Sequence, residues 1–177
     1  MTKLNLGSGS VVKPDWVNID LCNFPLVYNH DLTRGLPPGI PEGSVDFIFT
    51  EHFLEHLTLD QAKTLLRSCF VKMKPGAVLR IIIPDLAHLV SKYLNKDLDW
   101  GGPGGWEPAT PARMMNEGMT AWGHQFMYDF EELDLILKEI GFVNICRLAP
   151  NESVHTALQG IDSRVNPHDL RVEASKG

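Results

Sequence analysis

Short apolar runs broken by glycine, serine and proline open the chain: "KLNL" reads as a strand stopping at Gly7, and "WVNIDL" as a second strand ending near Asp20. "VYNHDL" is a candidate third strand, and "RGLPPGIPEGS" is a surface loop made of residues that break regular structure. "VDFIF" has apolar residues flanking its single acid, mostly β-branched or aromatic, and reads as a buried strand. From Glu51 to Met73 the period becomes helical, with Phe53, Leu54, Leu57, Leu65, Leu66, Phe70 and Met73 on one face. Thr58 and Asp60 mark a break and a new N-cap inside that span, and "KPG" ends it. "AVLRIIIP" is the most apolar strand and is expected at the centre of a sheet. "DLAHLVSKYLN" and "FEELDLILKEIG" are amphipathic helices, "FVNICRLA" is a strand, and "DLRVEAS" is a last strand candidate.

Strands alternating with helices predict an α/β fold, Rossmann-like, with a mostly parallel sheet flanked by helices in a single domain over 1–177. Two features depart from a regular pattern. Only about nine residues, Pro14 among them, separate the first two strands, too few for the usual helical crossover, so a turn is expected there. The sheet face beside it would then need cover from the C-terminal segment or a second subunit, with a homodimer the preferred expectation. A stretch at about 97–124, rich in glycine, proline and methionine, shows no clear period and reads as a lid-like insertion.

Composition narrows the function. With 177 residues, 44% of them hydrophobic and 21% charged, the chain is an ordinary globular domain. Its formal charge of −6, without a basic cluster, disfavours nucleic acid as the main partner. Cys22, Cys69 and Cys146 are widely spaced and odd in number, as expected of free thiols in a cytoplasmic protein. No apolar run reaches membrane-spanning length, and with a strand expected to start at Lys3 no signal peptide is expected.

Chemistry is expected at the carboxyl ends of the strands, where loops converge in open α/β sheets. Gly7-Ser8-Gly9 stands there after the first strand, with small residues that let backbone N–H groups approach a ligand. Asp20 closes the second strand, where a carboxylate accepts hydrogen bonds from ribose hydroxyls. A dinucleotide fingerprint fits badly: Val12 stands at its third glycine, and Asp20 falls 11 residues past Gly9, against about 20 in that motif.

In order, "LNLGSG", "WVNIDL", "HDLTRGLP", "VDFIFTEHFLEHL", "MKPGAVLRIIIPD" and "DFEELDLILKEIGF" run from Leu4 to about Phe142. This series resembles the class I S-adenosylmethionine-dependent methyltransferases, especially the methyltransferase type 11-like group. The resemblance implies S-adenosylmethionine as cofactor and methyl transfer to a small-molecule or glycan acceptor. It implies that Gly7, Ser8 and Gly9 face the methionine part, Asp20 the ribose, and Asp31 and Leu32 the adenine. Thr50, Glu51 and His52 would border the transfer site. The position two before Gly7 is usually acidic in that group and is Asn5 here, whose carbonyl oxygen can still bond the cofactor's ammonium, without a formal charge.

If the acceptor is a hydroxyl, His52 or His124 is the expected general base, with Glu51 orienting. Trp100, Trp106 and Trp122, in or beside the insertion, either stack on substrate or pin the loop by packing. "HFLEH" also fits the zinc-binding pattern H-x-x-E-H, which would put His52 and His56 one turn apart on one helix face. Nothing in the sequence identifies a third ligand, and no metal is expected. Two other classes stand beside the enzyme: a cofactor-binding protein of the same fold without catalysis, and a zinc hydrolase.

Overall fold

The computed structural model describes residues 1–100 and 106–177. Seven strands form one sheet: β1 (Lys3–Leu6), β2 (Val17–Asp20), β3 (Val27–Asn29), β4 (Val45–Glu51), β5 (Met73–Pro84), β6 (Phe142–Arg147) and β7 (Asp169–Lys176). Their order is β3-β2-β1-β4-β5-β7-β6, with every pairing from β3 to β5 parallel and both pairings of β7 antiparallel. The Rossmann-like architecture expected from the pattern is present. The strand order reverses direction between β1 and β4, and that switch point fixes where ligands can enter.

Among the described residues, four α-helices accompany the sheet: α1 (Leu59–Lys72), α2 (Leu86–Asn95), α3 (Pro111–Thr120) and α4 (Phe130–Ile140). α1 starts where the sequence predicts a fresh cap. Thr58 accepts from the Gln61 N–H, and the Gln61 side chain returns to the Thr58 N–H. Upstream the helical period fails: β4 leaves through His52 at φ +50° and makes only a 3-10 turn at Leu54–His56. Within the stretch read as aperiodic, α3 forms behind a Thr110 cap with Pro111 in its first turn. Its buried positions are Met114 and Gly118 alone, too few to show a period. The part of the expected insertion at 101–105 lies outside the described residues. Among the described residues, no helix is long and apolar enough to cross a membrane.

The two faces of the sheet are chemically different. Leu4 and Leu6, Ile19, Ile48, Leu79, Ile81 and Ile83, and Leu170, Val172 and Ala174 join α1 and α4 in one apolar core. The alternate positions carry Asn5, Asn18, Arg80, Arg171 and Glu173, all buried. Among the described residues, α1 and α4 pack on the first face, and this second face is covered by loops tied down by those polar groups. Asn18 accepts from the Asn5 side chain at 2.8 Å and the Lys13 N–H at 2.9 Å, and donates to the carbonyls of Lys13 and Trp16. The turn expected between β1 and β2 is thus pinned where a helix would otherwise pack.

The remainder of that face lies under the connection from β6 to β7. Arg80 grips both Asp162 oxygens at 2.9 Å and also donates to Glu173 and the Glu152 carbonyl. Arg171 adds a bond to Asp162 at 3.0 Å and donates to the carbonyls of Arg164, Asn166 and Asp169. Over β5 and β7, cover for this face therefore comes from the C-terminal part of the chain itself.

Candidate active site

At the switch point, Gly7 has φ +64° and Gly9 φ +50°, a region L side chains rarely adopt. A Cβ on Gly7 would stand 2.1 Å from Phe53 Cγ, so only glycine lets the loop lie against that ring. A Cβ on Gly9 would meet nothing, which leaves its backbone open to a ligand. Ser8 is buried between them. The Gly7 N–H bonds the Ile19 carbonyl at 2.9 Å, tying the loop to β2. Asp20 accepts from the Gly9 N–H through Oδ2 and from the Cys22 N–H through Oδ1, both at 2.8 Å, and each oxygen retains acceptor capacity.

Asn5 spends its amide protons on the Asn18 oxygen and the Val11 carbonyl. Asn18 must present its oxygen there, because its own NH₂ faces two carbonyls, so the Asn5 orientation follows from the network. Among the described residues no donor reaches Asn5 Oδ1. Thr50, at the end of β4 opposite Leu6, has a buried hydroxyl without a hydrogen-bond partner. Asp31 caps a 3-10 turn by accepting from Thr33, whose hydroxyl and N–H hold the carboxyl below its usual range. Leu32 is buried in the core.

Beyond the ends of β4 and β5 opens a cleft of about 550 Å³. Pro84 and Asp85 bound it on one side and the 3-10 turn after β4 on another, and Trp100, Trp106 and Trp122 wall it. Those rings contact one another edge-on or tilted, at centroid separations of 4.7 and 5.3 Å. His168 and His88 stack at 4.3 Å beside Trp100.

His52 lies between two carboxylates, with Nε2 3.1 Å from Asp169 and Nδ1 3.4 Å from Glu55. Burial works against its charge, but the Asp169 and Glu55 carboxylates outweigh that and raise its pKa to about 9. His52 is therefore an imidazolium at neutral pH in this arrangement, a donor and not a proton acceptor. The expected pairing of His52 with His56 on one helix face does not form, because the positive φ at His52 turns the chain out of helical geometry. Instead His56 meets His124 edge-to-face at 5.1 Å. Glu51 accepts from the N–H groups of Ser163 and Arg164 at 3.0–3.1 Å, so it fastens the covering loop at the cleft's edge.

Sequence reasoning brought His52, Glu51 and His124 to one end of the sheet but did not find Asp169 or Tyr128. Asp169 opens a strand paired antiparallel to β5, and only that pairing sets it opposite Pro84 at the cleft. Tyr128 is buried with an unpartnered hydroxyl, and burial followed by the Glu55 charge pushes its phenol up.

No family model matches the chain, and no curated protein matches it in sequence. Solved structures do match. One is a SAM-dependent methyltransferase from Archaeoglobus fulgidus, 19% identical, with 99% of this chain and 86% of that one covered and a TM-score of 0.62. A SAM-dependent methyltransferase from Aquifex aeolicus is 19% identical over 98% of this chain and 81% of that one, with a TM-score of 0.56. Phosphoethanolamine N-methyltransferase 2 from Haemonchus contortus, solved with S-adenosyl-L-methionine, is 12% identical with a TM-score of 0.60; 99% of this chain spans only 48% of that one. The fold is that of class I SAM-dependent methyltransferases.

Proposed function

We propose that the protein is an S-adenosylmethionine-dependent methyltransferase acting on a hydroxyl of a small molecule or glycan. The observation that carries this reading is the Gly7–Gly9 loop at the switch point, closed by Asp20, with a cleft rich in titratable groups beyond the ends of β4 and β5. The loop fits the cofactor on three counts: open space over Gly9, the undonated Asn5 oxygen for an ammonium, and Asp20 with lone pairs for ribose hydroxyls. Ser8 and the buried Thr50 hydroxyl complete the inner wall, and Asp31 is assigned to the adenine side, whereas Leu32, expected beside it, is buried in the apolar core.

When bound, the cofactor supplies an electrophilic methyl group on a sulfonium. The protein's task is to place the acceptor in line with it. The three tryptophans offer flat apolar walls, and Asp85, Asp169 and Arg164 offer hydrogen-bonding groups, a mixture suited to a sugar-like molecule. His124 Nδ1 sits 2.9 Å from the Gly118 carbonyl, which can only accept, so Nδ1 carries the proton. Its Nε2 lone pair is then left for an acceptor hydroxyl. His52 contributes fixed positive charge beneath the site, and Glu51 holds the loop that borders it. The free thiols of Cys22, Cys69 and Cys146 suit the cytoplasmic location we assign.

The test is transfer of labelled methyl from the cofactor to a panel of small hydroxylated metabolites and oligosaccharides. Label should enter at least one acceptor with wild-type protein, and His124→Ala should transfer at least about 100-fold more slowly. Cofactor retained without transfer to any acceptor would favour a binding protein of the same fold.

A further inference from the structure

Glu55 is 1% exposed, yet neither of its carboxylate oxygens has a hydrogen bond. Its nearest cation, His52 Nδ1, is 3.4 Å away, an ion-pair contact without hydrogen-bond geometry. A buried carboxylate left in that state is costly, and its neighbours suggest what relieves it. One ligand atom each from Glu55, His56 and His124 falls within 4.8 Å of the others, and all three residues line the cleft.

We propose that Glu55, His56 and His124 bind a divalent transition-metal ion in the wall of the cleft. The set is prepared for this by the backbone. Gln125 and Phe126 both donate to the Glu55 carbonyl, at 2.8 and 3.3 Å, and the Gln125 side chain donates to the His56 carbonyl. Those bonds fasten His124 beside residues almost 70 positions earlier in the chain. The Gly118 carbonyl fixes the His124 tautomer, as the outer partner of a metal-binding histidine does, and leaves Nε2 as the ligand atom. Tetrahedral zinc holds ligand atoms about 3.3 Å apart, a separation that side-chain rotation can reach from the present one.

Two imidazoles and one carboxylate favour zinc, cobalt or manganese over magnesium, which prefers oxygen ligands. Three protein ligands leave at least one coordination position facing the cleft. If the protein is the methyltransferase proposed above, that position takes the acceptor oxygen, and the ion, on which the His124 Nε2 lone pair is then spent, replaces His124 as the group that engages the hydroxyl. The site differs from the H-x-x-E-H pattern: His52 is not a ligand, and the third ligand comes from His124.

The experiment uses the full chain carrying Cys22→Ser and Cys146→Ser, which removes the exposed thiols, stripped with EDTA and titrated with Co²⁺. One ion per chain should bind, with visible absorption bands of nitrogen and oxygen coordination, and Zn²⁺ should displace it. Glu55→Gln and His124→Ala should each weaken binding by about 100-fold or more, since even outer-shell losses cost 10–100-fold. His124 is a half-buried loop residue, so its variant keeps the test open if Glu55→Gln does not fold. No retained cobalt, or retention unchanged in both variants, overturns the site. S-adenosylhomocysteine binding is measured in parallel: cobalt bound without it would keep the cation site and remove the methyl-transfer reading.

Discussion

His52 shows how much a single side chain's role depends on partners distant in sequence. Its position at the end of β4 suggested a base, but Asp169 and Glu55 hold it as a cation. With a folded pKa of about 9 against an ordinary 6.5, its contribution to stability is fully present below pH 6.5 and is lost as pH rises through 9. That contribution is about 3 kcal/mol at most. In metal-free protein the His52 ring resonances should titrate near pH 9 by NMR, and Asp169→Asn should lower that midpoint by at least one unit. A His52 midpoint below 7 would remove the account of the pair.

Most elements were legible in the sequence because their signals are local. Thr58 with Gln61 starts α1, Gly141 ends α4 in a left-handed cap, and "AVLRIIIP" lies inside the sheet. The short link between β1 and β2 was legible as a turn, but not the means of holding it. That depends on Asn18, whose alternation with Ile19 places it on the second face. Asn18→Ala should cost about 2–4 kcal/mol, because it leaves several buried groups unpaired. Hydrogen exchange at the Lys13 amide should accelerate in that variant, while the interior of α1 stays protected. α3 was missed because a ten-residue helix with two buried positions carries almost no period. The Glu55, His56 and His124 cluster was missed because backbone bonds across the fold, and no spacing, bring it together.

At the scale of the molecule, this is a methyltransferase fold with one helical layer and one polar layer. Arg80 and Arg171 converge on a single fully buried carboxylate, Asp162, and so anchor the loop that replaces the second layer. Asp162→Ala would leave two buried guanidinium groups short of a counter-charge and should destabilise the fold by about 3–5 kcal/mol, read from the urea midpoint at constant slope. The same loop reaches the turn between β1 and β2, since Lys13 donates to the Ile161 carbonyl at 2.6 Å. The covering loop and the β1–β2 turn are thus tied into one unit. The central claim is that this unit grips an adenosyl amino acid between the Gly7–Gly9 loop and Asp20. Isothermal titration with S-adenosylhomocysteine tests it most directly. One molecule should bind per wild-type chain, with binding weakened about 100-fold in Asp20→Ala while the unfolding free energy in urea stays within about 1 kcal/mol of wild type. No heat and no saturable binding by folded wild-type protein would contradict it.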